Sequence, residues 1–252
     1  MNEKFTHSAN ESKAMHRIPL PYPDRFTIGS LVLSANELIE RLTPYLTEAR
    51  RQRLRQAVAH RTYSIAPVVE GLHDLGNVSA VMRTAEGLGL QPFHVIQQGE
   101  KFKKANRVTK GAEKWLDVYS WQHTAEAIEH LKAAGYQVLA THLDTHARPL
   151  DTFDFSIPTA IIFGNEHAGL SPEAIELSDA TCILPMRGMV QSFNISVAAA
   201  IILHQAVIAR FGSLQAPGDL TEKEQHILLA EFYLRSIPHH QKIIQELINR
   251  AR

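Results

Sequence analysis

The sequence predicts an α/β protein with a mostly parallel sheet covered on both sides by helices. Two patterns carry this. From Ser64 onward, short apolar strand-like runs alternate with helical ones. The last helical run, Ile195 to Phe211, is apolar on nearly every face, so it must be buried all round or sit in a subunit interface.

Taken in order, residues 1–24 are polar and carry Pro19, Pro21 and Pro23, as a flexible arm ending in an extended segment does. Residues 25–62 form a basic helical extension. Leu38, Ile39, Leu42, Leu46, Leu54 and Val58 recur at helical spacing, with Pro44 as an interruption. Residues 63–212 form the main domain. Strands are expected over SIAPVVEGL (64–72), FHVIQQ (93–98), YQVLATHL (136–143), PTAIIFG (158–164) and ATCILPM (180–186). Helices are expected from Asn77, as cap, to Leu88, over Thr124 to Ala134, over Pro172 to Ser178 and over Ile195 to Phe211. Residues 213–252 form a helical tail with a cap at Thr221 and a break at Pro238.

The chain has 252 residues, 44% hydrophobic and 21% charged, with zero formal net charge, so overall charge points to no particular partner. Its one cysteine, Cys182, lies in an apolar strand pattern, which excludes an internal disulfide and a cysteine-based metal site. The His residues are scattered and no metal site is expected. The start has no apolar core for a secretory signal, and the longest apolar runs read as too short to span a bilayer, so a cytoplasmic location is expected.

Four stretches could carry chemistry. Asn77-Val78-Ser79-Ala80-Val81-Met82-Arg83 opens a helix after a strand; such an Arg is either a surface residue or a functional one. An apolar strand runs into Phe163-Gly164-Asn165-Glu166-His167-Ala168-Gly169, where glycines permit close backbone approach to a ligand. No Walker or dinucleotide fingerprint is present. Before the last helix, Gln191, Ser192 and Asn194 bring together neutral hydrogen-bonding groups, which either cap the helix or hold a ligand. Two segments are basic: Arg50, Arg51, Arg53 and Arg55 on the second half of the extension, and Lys101, Lys103, Lys104, Arg107, Lys110 and Lys114, next to Trp115. Each is either a solvated face or a phosphate-contact surface with stacking aromatics.

The order of these motifs resembles that of the SpoU/TrmH family, the RNA 2'-O-ribose methyltransferases of the SPOUT superfamily. The matching residues are Asn77 and Arg83, then Phe163-Gly164-Asn165-Glu166 with Gly169, then Ile183-Leu184-Pro185-Met186 with Gly188, Met189, Gln191, Ser192, Asn194, Ser196 and Ala198. The resemblance implies a C-terminal deep trefoil knot, a homodimer and S-adenosylmethionine as methyl donor. It assigns the donor to Phe163, Gly164, Asn165, Glu166, Ile183, Leu184, Pro185, Met186, Met189, Ser192 and Asn194. Arg83 becomes the candidate base or phosphate clamp, Asn77 and Glu166 orient Arg83 and the ribose, and Ser192 and Asn194 position the loop and donor. The helical extensions at both ends resemble the branch that methylates guanosine 18 in the tRNA D-loop. Ribosomal RNA, the tRNA wobble ribose and a non-catalytic RNA-binding module are the alternatives.

Overall fold

The computed structural model describes residues 17–29, 31–72, 74–97, 111–165, 168–190, 192–238 and 243. The expectations for Glu166, Gln191, Lys101, Lys103, Lys104, Arg107, Lys110 and the start of the arm lie outside the described residues.

The main sheet has seven strands: β3 (Ile65–Glu70), β4 (Pro92–Ile96), β5 (Asp117–Trp121), β6 (Gln137–Thr141), β7 (Arg148–Pro149), β8 (Thr159–Phe163) and β9 (Ala180–Ile183). Their order is β5-β4-β3-β8-β6-β9-β7 and every pairing is parallel. β3, β4 and β8 are buried along their whole length, which explains their unbroken apolar runs.

One face of the sheet is covered by α3 (Leu75–Gly87) and α6 (Ile195–Leu214). α3 buries Val78, Val81, Met82 and Ala85, the i, i+3, i+4, i+7 stripe of an amphipathic helix. Its N-cap is Asp74, whose carboxylate accepts the Gly76 N–H at 2.7 Å, so the expected cap at Asn77 is displaced by three residues into the helix. The other face is covered by α4 (Thr124–Ala133), α1 (Ala35–Leu42), α2 (Glu48–Ala59) and α7 (Glu222–Ser236). Pro44 does interrupt the N-terminal helical run, separating α1 from α2 by a 3-10 turn. Before α1 the chain forms a hairpin, β1 (Arg25–Ile28) and β2 (Leu31–Ser34), reversing beside Gly29 at φ 61°. Thr221 caps α7 through a capping box with Glu224.

Of the two alternatives for α6, burial all round and a place in a subunit interface, the first does not hold within one chain. Ala199, Ile202, Leu203, Ala206 and Arg210 are buried against the domain, while Val197 and Ile208 are 45% and 59% exposed. By length and composition alone Ile195–Gly212 is apolar enough to cross a membrane, which corrects the reading that no stretch is. Its inner face packs on α3, and its Arg210 is buried in an ion pair with Asp219.

A buried titratable group on the α4 side of the sheet makes the fold sensitive to acid. His94 on β4 is fully buried, stacks on Tyr119 at 4.7 Å between ring centroids, and accepts the Trp121 indole N–H at 3.0 Å through Nδ1. Burial holds its imidazole down at about 3. The folded state therefore keeps His94 neutral, while the unfolded chain protonates it below about 6.5. Its contribution is complete above that pH and is lost as pH falls toward about 3. Each pH unit in that window should cost up to about 1.4 kcal/mol. Urea midpoints measured from pH 7 to pH 4 should fall, and the His94→Gln variant should show a shallower fall; equal slopes would refute the assignment.

Candidate functional site

The helical period of α2 sorts its arginines. Leu54 and Val58 are buried. Arg51 and Arg55 lie against Glu48, Arg55 at 3.7 Å, and Arg51 also donates to the Thr43 carbonyl at 3.5 Å. Arg50 and Arg53 face the other way. With Leu54, Ala57 and Arg61 they form one wall of a cavity of about 420 Å³. The opposite wall is Arg83 and Glu86 from α3, and the remaining sides are Gly111, Ala112, Trp115 and Phe232. Arg83 projects from the exposed side of α3, opposite the buried stripe. Neither Arg53 nor Arg83 has an ion-pair or hydrogen-bond partner among the described residues.

Two further residues, Arg61 and Trp115, shape this cavity. Arg61 is 2% exposed, donates to Glu86 at 2.8 Å, and lies 5.4 Å from the Phe232 ring centroid. Burial lowers its pKa while Glu86 opposes that shift. Glu86 thus neutralises Arg61 and leaves the cavity lined by other unpaired cations. Trp115 is met edge-on by Phe232 at 5.1 Å and carries the Arg50 guanidinium 5.1 Å from its centroid. Lys114 is 5.4 Å from the same ring. The sequence signals were an Arg at the end of a basic helix and an aromatic at the end of a basic segment.

The second and third motifs lie elsewhere, at the carboxyl ends of the strands. There β3 leads toward β4 while β8 leads away through α5 (Pro172–Leu177), a reversal of winding where parallel sheets bind ligands. A cavity of about 380 Å³ opens at this point, lined in part by Gly71, Gln97, Asn165 and Gly169. Glu70 ends β3 as a buried carboxylate. It accepts the Ser171 N–H and hydroxyl, both at 2.8 Å, and the Thr124 hydroxyl at 2.6 Å, which ties the starts of α4 and α5 to the strand end. A lone acid ending an otherwise apolar strand was its only sequence signal.

The loop after β8 is closed on itself. The amide of Asn165 donates to the Gly169 carbonyl and the amide of Gly169 returns the bond, both at 2.9 Å, while the Asn165 side chain donates to Gly71 O at 3.0 Å. Gly164 sits inside this closure: a Cβ there would lie 2.4 Å from the Gly169 carbonyl carbon and 2.5 Å from the Leu170 nitrogen. Gly164→Ala must therefore open the loop. We expect it to weaken S-adenosylmethionine binding at least about tenfold, the equivalent of ~1.4 kcal/mol, measured by calorimetric titration; unchanged affinity would exclude the loop from the donor site.

Phe163 is fully buried, whereas residues 185–190 and 192–194 are largely exposed, Met189 completely. Asn194 is the N-cap of α6, its Oδ1 accepting the Ser196 N–H at 2.9 Å and the Ser196 hydroxyl at 2.5 Å. Within one chain, then, Arg83 keeps company with the α2 arginines, while Ser192 and Asn194 stand on the open surface ahead of α6. The Cys182 thiol is pushed up to about 12 by burial, which removes it as a nucleophile at neutral pH. Among the described residues no cluster of His, Cys, Asp and Glu is placed to hold a metal.

A parallel α/β sheet, a closed glycine loop at its winding reversal and a helix-borne arginine in a basic cavity define an α/β protein of the RNA-methyltransferase kind. The chain belongs to the SpoU rRNA Methylase family, whose model matches residues 64–204. It is similar to the tRNA (guanosine(18)-2'-O)-methyltransferase of Escherichia coli (strain K12), 35% identical over 189 residues, covering 74% of this chain and 82% of the relative. Among solved structures it is similar to the Aquifex aeolicus TrmH/SpoU tRNA modifying enzyme, with 30% identity, a TM-score of 0.68, and coverage of 76% of this chain and 98% of that one. It is also similar to the SpoU methyltransferase AviRb from Streptomyces viridochromogenes in complex with AdoMet. There the identity is 30%, the TM-score 0.52, and the coverage 58% of this chain and 57% of that one.

Proposed function

We propose that this protein is an S-adenosylmethionine-dependent tRNA (guanosine-18 2'-O)-methyltransferase that works as a homodimer with a trefoil-knotted C-terminal region in the cytoplasm. The observation that carries the reading is Arg83, unpaired, facing two further cations across a cavity beside an aromatic wall. Phosphate neutralisation with a stacking surface is what an RNA strand requires.

The loops after β8 and β9 suit the methyl donor. The tight Gly164 turn allows close approach, Asn165, Ser192 and Asn194 offer neutral hydrogen-bonding groups, and Met189 and Val190 offer exposed apolar surface. Phe163, Gly164, Asn165, Glu166, Ile183, Leu184, Pro185, Met186, Met189, Ser192 and Asn194 would hold it. Bound there, S-adenosylmethionine supplies a methyl group already activated on a sulfonium. The chain's own work lies with the acceptor. A ribose hydroxyl is a weak nucleophile until its proton is polarised or removed, and it must be held in line. Arg83 grips the neighbouring phosphate with its fork and so holds the ribose hydroxyl in line, a role that needs no deprotonated guanidinium, and the hydroxyl proton passes to water. Asn77 and Glu166 orient the ribose and Arg83. Arg50, Arg53 and Lys114, with the basic segment Lys101–Lys110, hold the RNA backbone.

Dimerisation is supported by the exposed apolar stripe of α6, continued by Met189, Val190 and Phe193. It would cover that stripe and bring the loop before α6 against a second copy. Sedimentation equilibrium should give twice the chain mass, and Ile208→Glu should give the monomer.

The activity is tested by tritium-methyl transfer to bulk tRNA and rRNA with mapping of the modified nucleotide. Label at guanosine 18 of tRNA supports the proposal. Label in rRNA or at the wobble ribose selects the alternative target, and S-adenosylmethionine binding without transfer to any RNA leaves a binding module.

A further inference from the structure

We infer that Arg235 is a positioning residue for the RNA cavity, acting through the backbone on either side of Trp115; the inference rests on the reading of that cavity as an RNA site. Trp115 follows a single 3-10 turn that begins beyond Gly111. So short a turn does not fix an indole by itself. The grip comes from α7, more than one hundred residues away in sequence.

Arg235 Nη1 donates to the Lys114 carbonyl at 3.0 Å and to the Leu116 carbonyl at 3.5 Å, the residues that bracket Trp115. Nη2 donates to Asp117 Oδ1 at 3.2 Å and to the Tyr22 hydroxyl, and Nε donates to Glu231 Oε1 at 2.9 Å. The Tyr22 and Tyr63 hydroxyls in turn donate to Asp117, so the arm, the entry to β3 and the start of β5 converge on one guanidinium. All three of its nitrogens are used, in a planar fork that a lysine ammonium does not reproduce. Arg235 itself does not line the cavity, but Phe232, three residues earlier on α7, does, and meets Trp115 edge-on. The aromatic wall is therefore set by the C-terminal helix. Loss of the fork should be felt in RNA binding and not in methyl-donor binding.

The chain has two tryptophans, Trp115 and Trp121, so Trp121→Phe leaves Trp115 as the reporter. In that background, tRNA should change the Trp115 emission and shield it from acrylamide. Arg235→Lys should shift the emission of the free protein to the red and raise KM for tRNA about tenfold, the loss of roughly one or two hydrogen bonds. Turnover at saturation should stay within about twofold, with S-adenosylmethionine affinity unchanged. Parallel losses in turnover and donor affinity, or a lowered melting temperature with unaltered KM, would assign Arg235 to stability alone and overturn the inference. So would a Trp115 emission unmoved by saturating tRNA in protein that retains Arg235, a measurement that needs no folded Arg235 variant. Trp115 shielding by tRNA with no methyl transfer would support this inference and remove the reading of the activity.

Discussion

Arg83→Ala is expected to lower methyl transfer by about 10²-fold or more, the cost of losing the group that holds the acceptor hydroxyl in line, with S-adenosylmethionine affinity intact. The expectation rests on placement. Arg83 is on the exposed side of α3 and lines the cavity, apart from the buried stripe, so its truncation leaves the core unaltered. It also has no ion pair to break among the described residues, so the loss will report function and not a disrupted salt bridge. Comparing KM with kcat divides its roles. A clamp on phosphate raises KM for tRNA, whereas a role confined to the ribose proton lowers kcat alone. Arg83→Lys retaining most of its turnover would show that the planar fork is dispensable, and Arg83→Ala binding tRNA with undiminished affinity would eliminate the clamp.

Arg210→Ala is expected to destabilise the fold by about 3–5 kcal/mol, the cost of leaving one partner of a buried ion pair uncompensated. Arg210 and Asp219 are 0% and 2% exposed and meet at 3.0 Å. Arg210 also donates to the carbonyls of Phe155 at 3.0 Å and Ser156 at 3.1 Å, and the Thr62 hydroxyl donates to Asp219 at 2.7 Å. One pair thus joins α6, the approach to β8, the approach to β3 and the linker to α7. Next to Asp219, Gly218 approaches the end of α2 so closely that a Cβ would lie 2.4 Å from the Ala59 carbonyl oxygen. Removing the guanidinium leaves a carboxylate with nowhere to move. The measurement is the urea midpoint of Arg210→Ala, with Asp219→Asn in the Arg210→Ala background recovering part of the loss. A destabilisation under about 1 kcal/mol would show that water reaches the site and that the pair is not buried in solution.

Much of the fold was legible in the sequence because local pattern encodes it. The apolar runs of β3, β4, β6, β8 and β9, the caps at Thr221 and Asn194 and the break at Pro44 all express backbone geometry over a few residues. β5 was not legible: DVYSW mixes polar and aromatic residues, as an edge strand can, and it becomes a strand by pairing with β4. The β1–β2 hairpin was hidden similarly: residues 25–34 belong to the expected helical extension, although the helical spacing begins only at Leu38, and the structure makes 25–28 and 31–34 strands. Of the site, the motif residues were visible as a series in fixed order, but their spatial grouping was not. Asn77 and Arg83 share one helix, yet Arg83 looks toward α2 and Trp115. Glu70 and Glu86 carried too little local signal, because an acid is unremarkable until its burial is known.

The sequence by itself determined a parallel α/β core, an apolar final helix, the three motifs and two basic segments, all written in period, composition and order. Only the tertiary structure decided which arginines serve the cavity. Arg50 and Arg53 face α3 while Arg51 and Arg55 turn to Glu48, because Leu54 and Val58 fix the rotation of α2 as they are buried. It also decided that both helical extensions build that cavity, α2 through Arg50 and Arg53 and α7 through Phe232 at Trp115. The reason is physical: a helix's period is a property of neighbours in sequence, but the direction its charged face takes is set by the burial of the opposite face against residues far along the chain.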